Sequence, residues 1–104
     1  MKDVIHSRLE RCIAIRKKAI KTTKDYLYEY MDEISQEFNI IIPEVIKDLS
    51  DDDLAEWVIG NSQKFLSKKH NDYLEHIEFV YIIEDLIVSD NNVRIAETIE
   101  SLAL

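Results

Sequence analysis

Residues 3–38 read DVIHSRLERCIAIRKKAIKTTKDYLYEYMDEISQEF, with neither glycine nor proline. The apolar residues Ile5, Leu9, Ile13, Ile20, Leu27, Met31, Ile34 and Phe38 fall three, four or seven apart, the spacing of one helix face. Ile13, Ile20, Leu27 and Ile34 keep a strict seven-residue interval, but Lys17 and Lys24 stand where a coiled coil would keep its alternate apolar positions. The stretch therefore reads as a long bundle helix. Thr22 and Thr23 have modest helix propensity and can cap a new helix, so one helix or two with a bend there both fit the pattern.

Downstream, Asn39–Ile42, β-branched from Ile40 on, leads into Pro43, which drives its predecessor out of helical geometry and ends the first element. Pro43 suits the first turn of a short helix over Glu44–Leu49. Ser50 followed by Asp51, Asp52 and Asp53 marks another helix start, with a hydroxyl to accept a free backbone N–H and acids against the positive end of the dipole. Leu54, Trp57, Val58 and Phe65 supply its buried stripe. Gly60, Asn61 and Ser62 mark a break before a long helix expected over Gln63–Val88. The second half of that helix is apolar on nearly every side, the pattern of a helix at the centre of a bundle. Ser89–Asn92 reads as a polar turn, and Ile95, Ala96, Ile99 and Leu102 as one face of a last helix.

The whole chain holds one glycine and one proline, where average usage gives about a dozen together. A β-sandwich or barrel needs a turn signal every 8 to 12 residues or so, which this chain cannot supply. The expected fold is all-α: a compact bundle of four or five helices forming a single domain over residues 1–104. Cys12 is alone, so a reducing compartment is expected. MKDVIHSRLERC carries charge where a secretion signal is apolar. The longest apolar run, Ile77–Val88, is interrupted by Glu84 and Asp85 and falls short of the roughly 20 residues a membrane span needs. A cytoplasmic protein without membrane contact is expected. Ile, Lys, Asn and Tyr total 35 residues against 11 for Gly, Ala, Pro and Arg, a bias of AT-rich coding that suggests a bacterial or phage source.

The formal charge of −8 conceals two unlike regions. Residues 1–24 carry eight basic and two acidic groups, a net of +6, and residues 25–104 carry five and nineteen, a net of −14. Such a field raises encounter rates with oppositely charged partners, and a basic protein is the natural target. On a helical wheel Tyr26, Tyr30, Glu33 and Glu37 form a second stripe beside the buried one, with Asp25, Glu29 and Asp32 further toward solvent. Rings supply buried area and carboxylates supply steering, so Tyr26, Glu29, Tyr30, Asp32, Glu33 and Glu37 are the expected partner-binding residues. The alternative is that the Tyr rings edge the core with their hydroxyls in water. RKKAIKTTK, residues 16–24, has the clustered cations that phosphates attract but neither a recognition motif nor stacking aromatics, so direct nucleic-acid binding is not expected.

Candidates for chemistry are sparse. His6 and Glu10, and Asp72 and His76, are four apart and each pair offers two metal ligands, fewer than a site requires. The third histidine, His70, completes no ligand pattern. Cys12 has Arg8, Arg11 and Arg16 near it but no base to complete a nucleophile, and reads as a small core residue. Glu75-x-x-Glu78 and Glu97-x-x-Glu100 resemble the paired acidic motifs of all-helical, magnesium-binding nucleotide pyrophosphohydrolases, without their Glu-x-x-Asp ending. That resemblance implies a metal-dependent nucleotide hydrolase, the weakest of three readings, since any amphipathic helix shows solvent carboxylates three apart.

No catalytic, metal or cofactor site is therefore expected. The leading expectation is a small acidic inhibitor or immunity-type protein that neutralises a basic toxin, nuclease or nucleic-acid-handling complex. In size, charge and helix content the chain resembles bacteriocin and contact-dependent-inhibition immunity proteins and phage-encoded inhibitors. The alternative is a structural homo-oligomer in which the basic first helix of one copy meets the acidic face of another.

Overall fold

The computed structural model describes residues 2–68 and 76–102. Five α-helices appear among them: α1 (Lys2–Glu29), α2 (Met31–Phe38), α3 (Asp51–Gly60), α4 (Ser62–Ser67) and α5 (Ile77–Leu102), with a short 3-10 turn at Ile46–Asp48 before α3. The all-α bundle expected from the sequence is what the chain forms. The two long helices run antiparallel, since His6 lies beside Glu100, Arg16 beside Asp90 and Tyr26 beside Phe79. At 28 residues α1 is about 42 Å long at 1.5 Å per residue, and it sets the long axis of a particle measuring 47 × 30 × 18 Å.

The first helix does not bend at Thr22–Thr23. The Thr22 hydroxyl donates to the Lys18 carbonyl at 2.9 Å, so it binds within its own helix and caps nothing, and Thr23 faces the core fully buried. The interruption comes at Tyr30, whose backbone leaves helical geometry at φ −113° and ψ 32°. Hydrogen bonds from Tyr30 N–H to the Tyr26 carbonyl and from Ile34 N–H to the Tyr30 carbonyl carry across it, so α2 continues α1 at an altered angle. It buries Ile34 and Phe38 and ends at Asn39, in the left-handed conformation at φ 53° that Asn tolerates better than most residues.

Pro43 is followed by a turn and the 3-10 segment, which buries Ile46, where a short helix over Glu44–Leu49 is expected. Ser50 caps α3 as anticipated, its hydroxyl accepting from Asp53 N–H at 3.1 Å. The break between α3 and α4 is closed by Asn61, whose side-chain amide donates to the Trp57 carbonyl at 2.9 Å. The expected helix over Gln63–Val88 is described as α4 and α5, and residues 69–75 between them lie outside the described residues.

The expected turn at Ser89–Asn92 is a correction: α5 passes straight through it and ends only at Leu102. Ser89 and Asp90 have the polarity of a turn, yet both are buried against α1. Asp90 pairs with Arg16, so its capping chemistry is spent on a helix-to-helix ion pair.

The core sits at one end of the α1–α5 pair. Phe65 and Phe79 meet edge-on at 5.5 Å, Phe38 packs on Phe65 at 5.1 Å, and Tyr26 stacks on Phe79 at 4.9 Å, geometries that add about 0.5–1.5 kcal/mol per pair beyond area burial. Leu27, Ile34, Ile46, Leu54, Val58, Ile83 and Leu86 complete it, all fully buried. Beyond it α1 and α5 continue as a two-helix arm, where residues 4–15 and 91–102 bury only Leu9 and Val93. A radius of gyration of 15.1 Å, against about 13 Å for a round domain of 100 residues, reflects that arm. No described helix is long and apolar enough to cross a membrane.

Candidate functional site

Three arrangements of polar side chains stand out, two inside the bundle and one on its surface. The first inner one begins with Asp90, about 3 % exposed. It accepts from Arg94 Nε at 2.9 Å and lies 3.0 Å from Arg16 Nε, a charge contact without an aligned hydrogen bond. Arg16 also donates through its terminal nitrogen to Asp52 at 2.8 Å. A chain of alternating charges, Asp52–Arg16–Asp90–Arg94, thus ties α3, α1 and α5 together. The Arg16 hydrogen bond, and then its charge, hold the Asp52 carboxyl below its ordinary value, and the Asp90 hydrogen bond and charge raise the Arg94 guanidinium.

A second inner cluster gathers on His76 at the start of α5. His76 is buried, its Nδ1 lies 2.7 Å from the Tyr26 hydroxyl, and its Nε2 lies 3.5 Å from Glu37 and 3.8 Å from Glu33. The Tyr26 and Tyr30 rings both border the imidazole at 5.5 Å. Burial, and then the charges of Tyr30, Glu78, Glu33 and Glu37, push the Tyr26 phenol above its ordinary value. Of the six residues expected at a partner surface, Tyr26, Tyr30 and Glu37 are thus half-buried around His76, and Glu33 touches the same ring from an exposed position. Glu29 and Asp32 are exposed. Sequence spacing finds the stripe, but His76, 50 residues from Tyr26, carries no local signal that it lies against it.

The surface arrangement follows from how the cations of α1 are used. Lys24 donates to the Leu49 carbonyl and lies 3.9 Å from Asp51, and Arg16 is held by Asp52 and Asp90. Both turn inward to fasten the 3-10 turn and α3 to α1, and Lys47 of that turn lies 4.2 Å above the Tyr28 ring. Residues 25–56 then hold eleven acids against the single base Lys47, a net of −10. Ten of those acids are exposed, Asp25, Glu29, Asp32 and Glu33 among them, and only Glu37 is half-buried. At neutral pH this segment is strongly negative, even with Arg16 on Asp52 and Lys24 on Asp51.

The remaining sequence candidates do not assemble. His6 and Glu10 do meet, at 3.1 Å, but in solvent, where such a pair contributes little. Glu100 adds a second contact to His6 at 3.6 Å. His70, Asp72 and Glu75 lie outside the described residues. Among the described residues no group of three or more His, Cys, Asp or Glu is placed to hold a metal ion. Cys12 is half-buried in the α1–α5 seam. Comparison of the chain with protein-family models, curated proteins and solved structures finds no match in any of the three.

Proposed function

We propose that the protein is a binding protein that applies its acidic end to a basic macromolecular partner and neutralises it, in the manner of a small inhibitor or immunity-type protein. The observation that carries this reading is the excess of mostly exposed acids over residues 25–56, eleven acids against Lys47, which Arg16 on Asp52 and Lys24 on Asp51 offset only in part. A surface of one sign steers an oppositely charged partner and speeds association, and salt weakens the effect as the Debye length falls to roughly 8 Å at physiological ionic strength. Glu29, Asp32 and Glu33, at the corner of α1 and α2, sit on that surface.

The test compares two charge reversals of the tagged protein in pull-downs from its native lysate at low and moderate salt. The expected result is one basic, stoichiometric partner whose capture is salt-sensitive. Glu29→Lys with Asp32→Lys and Glu33→Lys should weaken its affinity roughly tenfold or more, about 1.4 kcal/mol, while Glu97→Lys on the arm leaves it unchanged. Equal capture by both variants would remove the acidic end from the interface.

A further inference from the structure

Along one side of the α1–α5 pair the seam between the helices is open. Three grooves lie end to end in it: one at Thr22, Ala19 and Ile82, the next at Leu66 and Val88, the last at Arg8, Ile95 and Ile99. The first two share Ile15 and Asp85, and the last two share Cys12 and Asn92, so they form one continuous furrow. On the outer flank of α5, Val88, Ile95 and Leu102 recur every seven residues at 58, 51 and 82 % exposure, with Ile99 beside them and Ile15 across on α1. Seven is the interval that keeps an apolar line facing a second helix, and a contiguous exposed apolar strip of this kind marks an interaction surface.

The furrow is charged unequally along its length. Arg8 and Arg11 line one end; Glu84 and Asp85 line the other with Lys18 beside Asp85, two acids and one base, so the ends carry +2 and −1. We propose that a second copy of this chain occupies the furrow, related by a two-fold axis crossing it near Cys12 and Asn92. That rotation lays the Asp85 end of each copy over the Arg8–Arg11 end of the other and sets Val88, Ile95 and Ile99 against the second copy's seam. Two helices from each chain then close an antiparallel four-helix bundle. Because the two ends are opposite in net charge, a second copy in the reversed orientation sets an acidic end against a basic one at both ends of the furrow.

From Ile82 to Leu102 α5 spans roughly 30 Å, and the helix pair is about 20 Å across. Each copy would bury roughly 600 Å², about 1,200 Å² in all, the lower edge of specific interfaces. The dimer is formed by a different surface from the acidic end and is independent of what that end binds.

Sedimentation velocity of the full chain between about 1 and 300 µM, a range that brackets such an interface, tests the proposal. The apparent mass should rise from 12.3 kDa toward twice that value. Val88→Glu with Ile95→Glu, at exposed positions, should stay monomeric throughout with unchanged helical circular dichroism. Arg8→Asp with Arg11→Asp should weaken the dimer roughly tenfold, and adding Asp85→Arg to the same chain should restore it, because both ends are then exchanged together. A monomer at every concentration, a dimer that survives Val88→Glu with Ile95→Glu, or a triple exchange that fails to recover each overturns the proposal. If the wild-type chain stays monomeric while a foreign acidic amphipathic peptide binds and is lost in the Arg8→Asp, Arg11→Asp variant, the furrow belongs to another protein's helix.

Discussion

The two ends of the α1–α5 pair are built from the same two helices and have opposite fates. Around Tyr26, Leu27 and Phe79 the pair is roofed by α2, α3 and α4, and its apolar faces are fully buried. Around Arg8, Ile95 and Ile99 nothing described covers it, and large aliphatic side chains meet solvent. Amphipathicity alone therefore does not decide burial. A third layer of helix does, and the described residues supply one at the Tyr26–Phe79 end only. The roofed end keeps the pair folded and carries most of the negative charge; the bare end leaves its apolar side chains exposed.

The largest expected effect tests that division through packing. Phe79→Ala, in the roofed end, should cost about 3–5 kcal/mol, whereas Ile99→Ala, near the tip of the arm, should stay within about 0.5 kcal/mol. Chemical denaturation of both at the lowest practical protein concentration makes the measurement. Equal losses would mean that the arm is packed as tightly as the core, and the contrast between the two ends would fail.

A smaller effect probes the ion-pair chain where the two regions join. Removing one partner of a buried pair commonly costs 3–5 kcal/mol, but Arg16 keeps Asp52, so Asp90→Ala should cost roughly 2 kcal/mol. Asp52→Asn, at an exposed position, should leave the unfolding midpoint nearly unchanged at neutral pH. The Asp52 carboxyl is held below its ordinary value, so what it contributes is present above the unfolded-state value near 4 and is lost as the pH falls through the folded one. A midpoint that drops as far for Asp52→Asn as for Asp90→Ala would place the anchor on the surface.

The smallest effect concerns Tyr26. Its phenol is raised by burial and by neighbouring Tyr30 and carboxylates, so the folded chain keeps a proton that the unfolded chain releases near pH 10. Stability should be complete below that value and decline as the pH rises through the folded phenol's titration. In ultraviolet titration a step should appear above the ordinary tyrosine range, and Tyr26→Phe should abolish it. A titration without that late step would show that the His76 cluster does not shield Tyr26.

Local signals were the legible ones. The seven-residue line of Ile20, Leu27 and Ile34 is buried in the core, while Ile13 at its arm end is only half-buried because no layer lies above it. Ser50 before three aspartates, Pro43 after a β-branched run, and Asn61 beside Gly60 each mark a boundary through chemistry within four residues, and the structure has a boundary at each. Ser89–Asn92 misleads because a buried helical aspartate and a turn aspartate look alike until the partner is known, and Arg16 is 74 positions away. The Tyr and Glu stripe was legible as a stripe, but whether it faces water or His76 was not.

By itself the sequence determined the helical class, the long first helix, most helix ends and the division of charge, because propensity, capping and periodicity act over a few residues. Only the tertiary structure decided which cations turn inward, which apolar faces stay bare and which polar residues are buried. Those outcomes depend on groups brought together across tens of residues, where burial and Coulomb energy follow distance in space and not along the chain.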